Sequence, residues 1–177
     1  MFNVMSRPPL YDEDAVQPMR DELVAVGFTE LRTPAAVNEV IGMHDDKATL
    51  VMINSVCGCA AGGARPGVSL ALQNNIIPDR LTTVFAGQDR DAVDQMRAHI
   101  KLPPSSPSMA IFKNGQVVYF MPRYEIEGYT PQQIADKLVN KFNELCSAPG
   151  PSIPPEQYAQ VMYAKSCGSK IPVFKGN

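Results

Sequence analysis

The order of apolar segments predicts an α/β fold. A central mixed sheet contains a parallel β-α-β-α unit followed by an antiparallel hairpin and a closing helix, with extra helices at the N-terminus. Three observations carry this. Two near-continuous apolar runs, Ala48–Val56 and Leu81–Gly87, fit strands buried on both faces, which pair in parallel across a helical crossover. Asn114-Gly115 then sits between two short apolar runs, "MAIF" and "QVVYFM", the dipeptide suited to a hairpin turn with both central residues at positive φ. Finally, Thr130, Pro131 and Gln133 supply an N-cap, a first-turn proline and the far partner of a capping box for a last helix.

Each element has its own local cause. Val16, Met19, Leu23 and Val26 share one helical face, so residues 11–26 read as an amphipathic helix with Pro18 in or near its first turn. Thr33 and Pro34 open a second helix, with Val37, Val40 and Ile41 inward and Gly42 as its stop. Both helices precede the first expected strand. After Val56, the small residues from Cys59 onward and the apolar Val68, Leu70, Ala71 and Leu72 predict a helix to about Asn75, bent at Pro66. Asp89 is suited to cap a helix that turns Val93, Met96 and Ile100 inward. Ile134, Leu138, Phe142 and Leu145 form the buried stripe of the closing helix.

Beyond Cys146 the composition changes. "SAPGPSIPPEQ" holds four of the sixteen prolines, which predicts an extended linker. Residues 1–146 therefore form the expected domain and 147–177 a Pro-rich C-terminal extension. Glu156–Ser166 is expected to make a short helix, packed on the domain through Tyr158, Val161 and Met162.

A chain of 177 residues with 45% apolar and 19% charged residues is that of an ordinary globular protein, not a disordered one. A formal charge of −2 without a long basic run favours neither nucleic acid nor a membrane surface as a partner. The N-terminal stretch lacks a secretory apolar region, and no segment approaches the roughly 18 apolar residues of a membrane span. The expected location is the cytoplasm. Thiols are kept reduced there, so close-spaced cysteines point to catalysis or metal rather than to a structural disulfide.

"NSVCGCAAGGARPG", Asn54–Gly67, places Cys57 and Cys59 where the first strand ends and a helix begins. Unpaired amides and the helix dipole favour a thiolate there. The dipole alone contributes about 0.3 to 1 kcal/mol, less than one pKa unit, so local hydrogen bonds have to supply the rest. Residues two apart in an extended chain approach the upper Cα separation of a disulfide, about 6.8 Å, so a bend is needed, and Gly58 bends freely. The other metal-ligating candidates, Cys146, Cys167, His44 and His99, are scattered without a second close pair, so no metal is expected. Gly62, Gly63 and Gly67 lack the Lys-Ser or Lys-Thr of a phosphate loop and are explained by close approach of the helix to the sheet.

The order of elements resembles thioredoxin, and Pro107 matches the position of that fold's cis-proline beside the active thiol. More specifically, "NSVCGCAAGGARP", "VFAGQDRDA", "PSSPSMAIFK" and "PRYEIEGY" resemble, in order, the bacilliredoxin family of thioredoxin-like proteins, over about Val16 to Cys146. The resemblance implies a thiol–disulfide oxidoreductase that removes bacillithiol, a small cytosolic thiol, from mixed disulfides on client proteins. It implies Cys57 as attacking thiolate, Cys59 as auxiliary or resolving thiol, and Pro107, with Gly58, as support. Bacillithiol is then a co-substrate, with no tightly bound cofactor. The resemblance stops before the tail, so nothing is inherited for Cys167; Cys146 and Cys167 stand only as auxiliary thiols. Arg65 and Arg123 are candidates to bind a carboxylate of bacillithiol, against a surface or structural ion-pair role. The competing functions are a general disulfide reductase or isomerase, a non-catalytic thioredoxin-like binding module, and a metal or iron–sulfur carrier.

Overall fold

The structure, a computed structural model, describes residues 6–161 and 172–176. The chain opens with α1 (Glu13–Val24), β1 (Thr29–Glu30), α2 (Pro34–Ile41) and β2 (Thr49–Asn54). A π-helical turn, Ala60–Ala64, leads into α3 (Arg65–Ala71), followed by β3 (Ile76–Ile77), β4 (Arg80–Phe85) and α4 (Arg90–Ile100). The hairpin β5 (Ser108–Lys113) and β6 (Gln116–Met121), α5 (Pro131–Leu145), β7 (Ala148–Pro149) and α6 (Pro155–Tyr158) complete it.

Five strands form one sheet in the order β1-β4-β2-β5-β6. β1, β4 and β2 run parallel, and β5 and β6 are antiparallel to their neighbours. This is the mixed sheet of a thioredoxin-like α/β fold. All six residues of β2 are buried, which is why its sequence is a continuous apolar run. Alternation then assigns each residue to a layer. Leu50, Met52, Met109 and Ile111 meet Val68 of α3, Leu72 just after it, and Ile134, Leu138 and Phe142 of α5. Val51, Ile53, Ala110 and Phe112 meet Val37 and Ile41 of α2 and Val93 and Met96 of α4.

The local signals translate directly. Asp12 accepts the amide of Ala15 at the start of α1, and Thr33 accepts that of Ala36 at the start of α2. Pro18 lies inside α1. Thr130 and Gln133 form the reciprocal capping box of α5. Asn114 and Gly115 have φ of 50° and 74°, the paired left-handed geometry of a two-residue hairpin.

Other features depart from expectation. β1 lies between the two N-terminal helices, where no strand is expected; two residues are too few to show a period. The irregularity placed at Pro66 is instead the wide turn just before it, where the Arg65 amide reaches the Ala60 carbonyl. A proline ring clashes with the carbonyl four residues back, and the widened turn gives it room. Asp89 occupies the cap position of α4 but makes no side-chain cap; its carboxylate takes Arg20 instead. Gly63 and Gly67 admit a helix rather than the sheet, a Cβ on Gly67 lying 2.8 Å from Ile134 Cγ2 of α5, whereas Gly62 faces open space and no close approach explains it.

The Pro-rich segment is extended, yet it is docked. β7 pairs with β3, the Gly150 amide donates to the Asn75 carbonyl, and the Ser152 amide to the Leu72 carbonyl. Ile153, Tyr158 and Val161 pack against the α3–α5 layer, as expected of the last two. Met162, Cys167 and the rest of the expected tail helix through Ser166 lie outside the described residues. Among the described residues, no helix is long and apolar enough to cross a membrane.

Candidate active site

The floor of the site is a buried polar network at the C-terminal end of β2. Asn54 Nδ2 donates to the Met19 carbonyl at 3.2 Å, and its Oδ1 accepts from the Ser55 amide at 2.9 Å and Arg65 Nη1 at 3.1 Å. Arg65 Nη1 also donates to the Ser55 carbonyl at 2.8 Å, and Nε donates to Glu22 Oε2 at 2.7 Å. The Arg65 and Glu22 side chains are 0% and 1% exposed. A buried cation needs a counter-charge and hydrogen bonds; this one has Glu22 and donates through Nε and Nη1, with Nη2 buried and without a hydrogen-bond partner among the described residues, and it ties α1 and the end of β2 to α3. Arg65 is therefore closed to any dissolved carboxylate and serves the structural alternative, an ion pair.

Above this floor the chain bends at once into a helical turn. The Cys57 carbonyl accepts the amides of Ala60 and Ala61 at 3.1 and 3.2 Å. This geometry, rather than any left-handed glycine conformation, brings the two sulfurs to 2.7 Å. Gly58 does not have positive φ, and a Cβ there would meet nothing within 4 Å. Its contribution is exposure, leaving the half-buried sulfurs beside it unscreened by a side chain.

The two thiols are driven apart in acidity. Burial pushes Cys57 up, but hydrogen bonds from Cys59, Ser55 and the Ala60 amide, with the nearby charge of Arg123, carry it below the ordinary thiol value. Cys59 is pushed up to about 11 by burial, by its hydrogen bond to Cys57 and by the charge of Cys57. Cys57 is thus the more acidic member of the pair and Cys59 the less acidic, the proton between them favouring the Cys59 sulfur. A thiolate beside a protonated partner is the arrangement that attacks a disulfide and retains a second thiol for a later step.

Strand register brings the remaining pieces together. Ile53 of β2 pairs with Ser108 of β5, and Met109 of β5 pairs with Met121 of β6. Continuing those ladders, Pro107 and Arg123 fall beside the end of β2 that leads to Cys57. The Ser106–Pro107 peptide bond is cis. Arg123 is fixed to that loop: its amide donates to Ser105 Oγ at 2.7 Å and its Nη1 to the Ser106 carbonyl at 3.3 Å.

Cys146 lies elsewhere. Its charged neighbours are Lys113 and Asp79, at the opposite end of the sheet, and burial pushes it up to about 11. The structure does not bring it to the dithiol, and Cys167 is outside the described residues. Among the described residues no group of three or more His, Cys, Asp or Glu side chains is placed to hold a metal ion.

Sequence reading passed over Ser55, Glu22 and Arg20. Arg20 is 1% exposed on its side chain, paired with Asp89 and Glu30 at 2.8 Å each, and stacked on Phe85 at 5.1 Å. The available signal was charge next to an inward stripe, since Arg20 and Glu22 flank Met19 and Leu23.

A protein-family model described as Disulphide isomerase matches residues 11–146. Curated relatives include a bacilliredoxin of Salinibacter ruber, 48% identical over 143 residues, covering 80% of this chain and 83% of the relative. One from Shouchella clausii is 50% identical over 137 residues, 77% of this chain and 94% of the relative. One from Cytophaga hutchinsonii is 47% identical over 137 residues, 77% of this chain and 100% of the relative. With the dithiol turn inside the matched span, the family follows: this chain belongs to the bacilliredoxins, and its role is that of a thiol–disulfide oxidoreductase.

Proposed function

We propose that the protein removes bacillithiol from mixed disulfides on cytoplasmic client proteins, with Cys57 as the attacking thiolate. The observation that carries this reading is the opposed acidity of two sulfurs 2.7 Å apart, in a chain whose relatives are named bacilliredoxins. The Cys57 thiolate attacks the bacillithiol sulfur of the mixed disulfide. The client leaves as a thiolate, which takes up a proton, and bacillithiol remains on Cys57 as a new disulfide. Two routes then clear it. A free bacillithiol thiolate attacks the bound bacillithiol sulfur, giving oxidised bacillithiol and a free Cys57 thiolate. Alternatively Cys59 loses its proton and attacks Cys57, releasing bacillithiol and leaving an internal disulfide that an external dithiol reduces by two electrons. Bacillithiol is co-substrate in both, and no bound cofactor takes part.

The client half lies, in this reading, along an apolar groove of about 440 Å³ beside Ser105, lined by Leu102, Pro103, Pro104, Phe120 and Tyr124. The test is peptide-mapped mass spectrometry after challenge with oxidised bacillithiol. The adduct is expected on Cys57, retained in Cys59→Ser and absent in Cys57→Ser. An adduct spread equally over Cys146 and Cys167, or none in Cys59→Ser, overturns the reading. The matching model's description, Disulphide isomerase, supports a second reading, a general disulfide reductase or isomerase. Equal rates on bacillithiol, glutathione and protein disulfides select that one.

A further inference from the structure

Of the cationic side chains around the dithiol, Arg65 is sealed in the floor and Arg123 is not. The Arg123 side chain is 42% exposed. Three of its contacts hold it in place: the amide on Ser105 Oγ, Nη1 on the Ser106 carbonyl, and Nε on Glu127 Oε2 at 3.2 Å. Its remaining terminal nitrogen, Nη2, has no hydrogen-bond partner among the described residues. The ladders of β2, β5 and β6 set this guanidinium across Pro107 from the end of the strand that delivers Cys57.

A guanidinium anchored through one edge and open at the other is a preorganised receptor for a planar anion. Glu127 is the only carboxylate paired with it among the described residues. That pair is exposed and therefore weak, so an incoming carboxylate competes with it on equal terms. The same cation is close enough to both sulfurs to favour their charged forms. A bound anion consequently lies within reach of the exchanging disulfide.

We propose that Arg123 is a substrate-positioning residue that receives a carboxylate carried by the small-thiol half of the incoming disulfide. This selects, among low-molecular-weight disulfides, those bearing a carboxylate over neutral or cationic ones. The inference rests on the oxidoreductase reading of the dithiol but does not depend on which small thiol is physiological.

The experiment measures exchange rates of the full chain with two simple disulfides, dithiodipropionic acid, which carries carboxylates, and the uncharged bis(2-hydroxyethyl) disulfide. The readout is their rate ratio. Any change in Cys57 acidity alters both rates together and leaves that ratio unmoved. Arg123→Gln is expected to lower the ratio by about three- to fivefold, the scale of an exposed ion pair. Arg123→Lys retains part of it, because charge persists while the fork is lost. Glu127→Gln raises it, since the competing carboxylate is gone, an outcome that damage to the fold does not produce. The wild-type preference is also expected to shrink with added salt. An unchanged ratio in both Arg123→Gln and Glu127→Gln overturns the inference. No exchange with either disulfide in the wild type overturns the underlying reading of the dithiol instead.

Discussion

The two ends of the sheet each carry a half-buried thiol and an arginine–carboxylate pair, and they use them oppositely. At the hairpin end, Cys146 has burial and little else, so its acidity falls and its pKa rises to about 11. The nearby Arg80–Asp45 pair is partly exposed. At the dithiol end, the same burial acts on Cys57, yet hydrogen bonds from Cys59, Ser55 and Ala60 and the charge of Arg123 reverse its sign. Beneath it, Arg65 and Glu22 are fully enclosed. Burial does not make a thiol reactive; the polar groups placed around it do.

Breaking the enclosed pair gives the largest expected effect. Glu22→Gln or Arg65→Met leaves a buried charge uncompensated and is expected to cost about 3–5 kcal/mol, whereas Asp45→Asn at the exposed pair of the other end is expected to leave the unfolding midpoint close to that of wild type. Urea unfolding midpoints check both, and equal losses at the two ends remove the contrast.

The thiols themselves come next. Rates of alkylation by iodoacetamide, mapped by residue against pH, are expected to persist for Cys57 below the ordinary thiol range and to fall only as pH drops through its lowered value. Cys146 stays at least about a hundredfold slower at pH 7.5, because a pKa near 11 leaves little thiolate. The sign carries over to stability. A raised thiol pKa contributes stability that is fully present below the ordinary value of about 8.5 and is lost as pH rises through about 11.

Smaller still is Ser55→Ala. It removes one of several hydrogen bonds to Cys57 and is expected to shift the alkylation midpoint upward by less than about one unit. Gly58→Ala comes last. With open space around the added methyl and no positive φ to oppose it, stability stays within about 0.5 kcal/mol of wild type. A large loss there would return the bend to the glycine.

The pattern of what could be read from sequence follows interaction range. The Asn114-Gly115 turn, the Thr130–Gln133 capping box, the Thr33-Pro34 start of α2 and the buried β2 are all written within a few neighbouring residues. The placement of Cys57 at a strand end follows from the same signals. β1, β3 and β7, at two residues each, carry no period to detect. The pairing of Arg65 with Glu22 spans 43 residues and that of Arg20 with Asp89 spans 69, and no local rule links them. Hence Asp89 read as a helix cap, and Arg65 as either a ligand-binding candidate or one side of an ion pair whose partner the sequence does not name. The support for the lowered Cys57 pKa divides the same way: Ser55 and Ala60 are local to it, whereas Arg123 arrives through strand register.

The π-helical turn between Cys59 and Arg65 acts as a phase adjuster on one helical axis. An α-helix turns about 100° per residue, so one extra residue re-aims everything upstream of it. Downstream, Arg65 and Gly67 need fixed azimuths, one toward Glu22 and the other flush against Ile134. Upstream, the sulfurs need the open end of the sheet. Excising Gly62, an exposed residue with nothing within 4 Å of its missing Cβ, would restore uniform winding and swing Cys59 by about 100° relative to its own foundation.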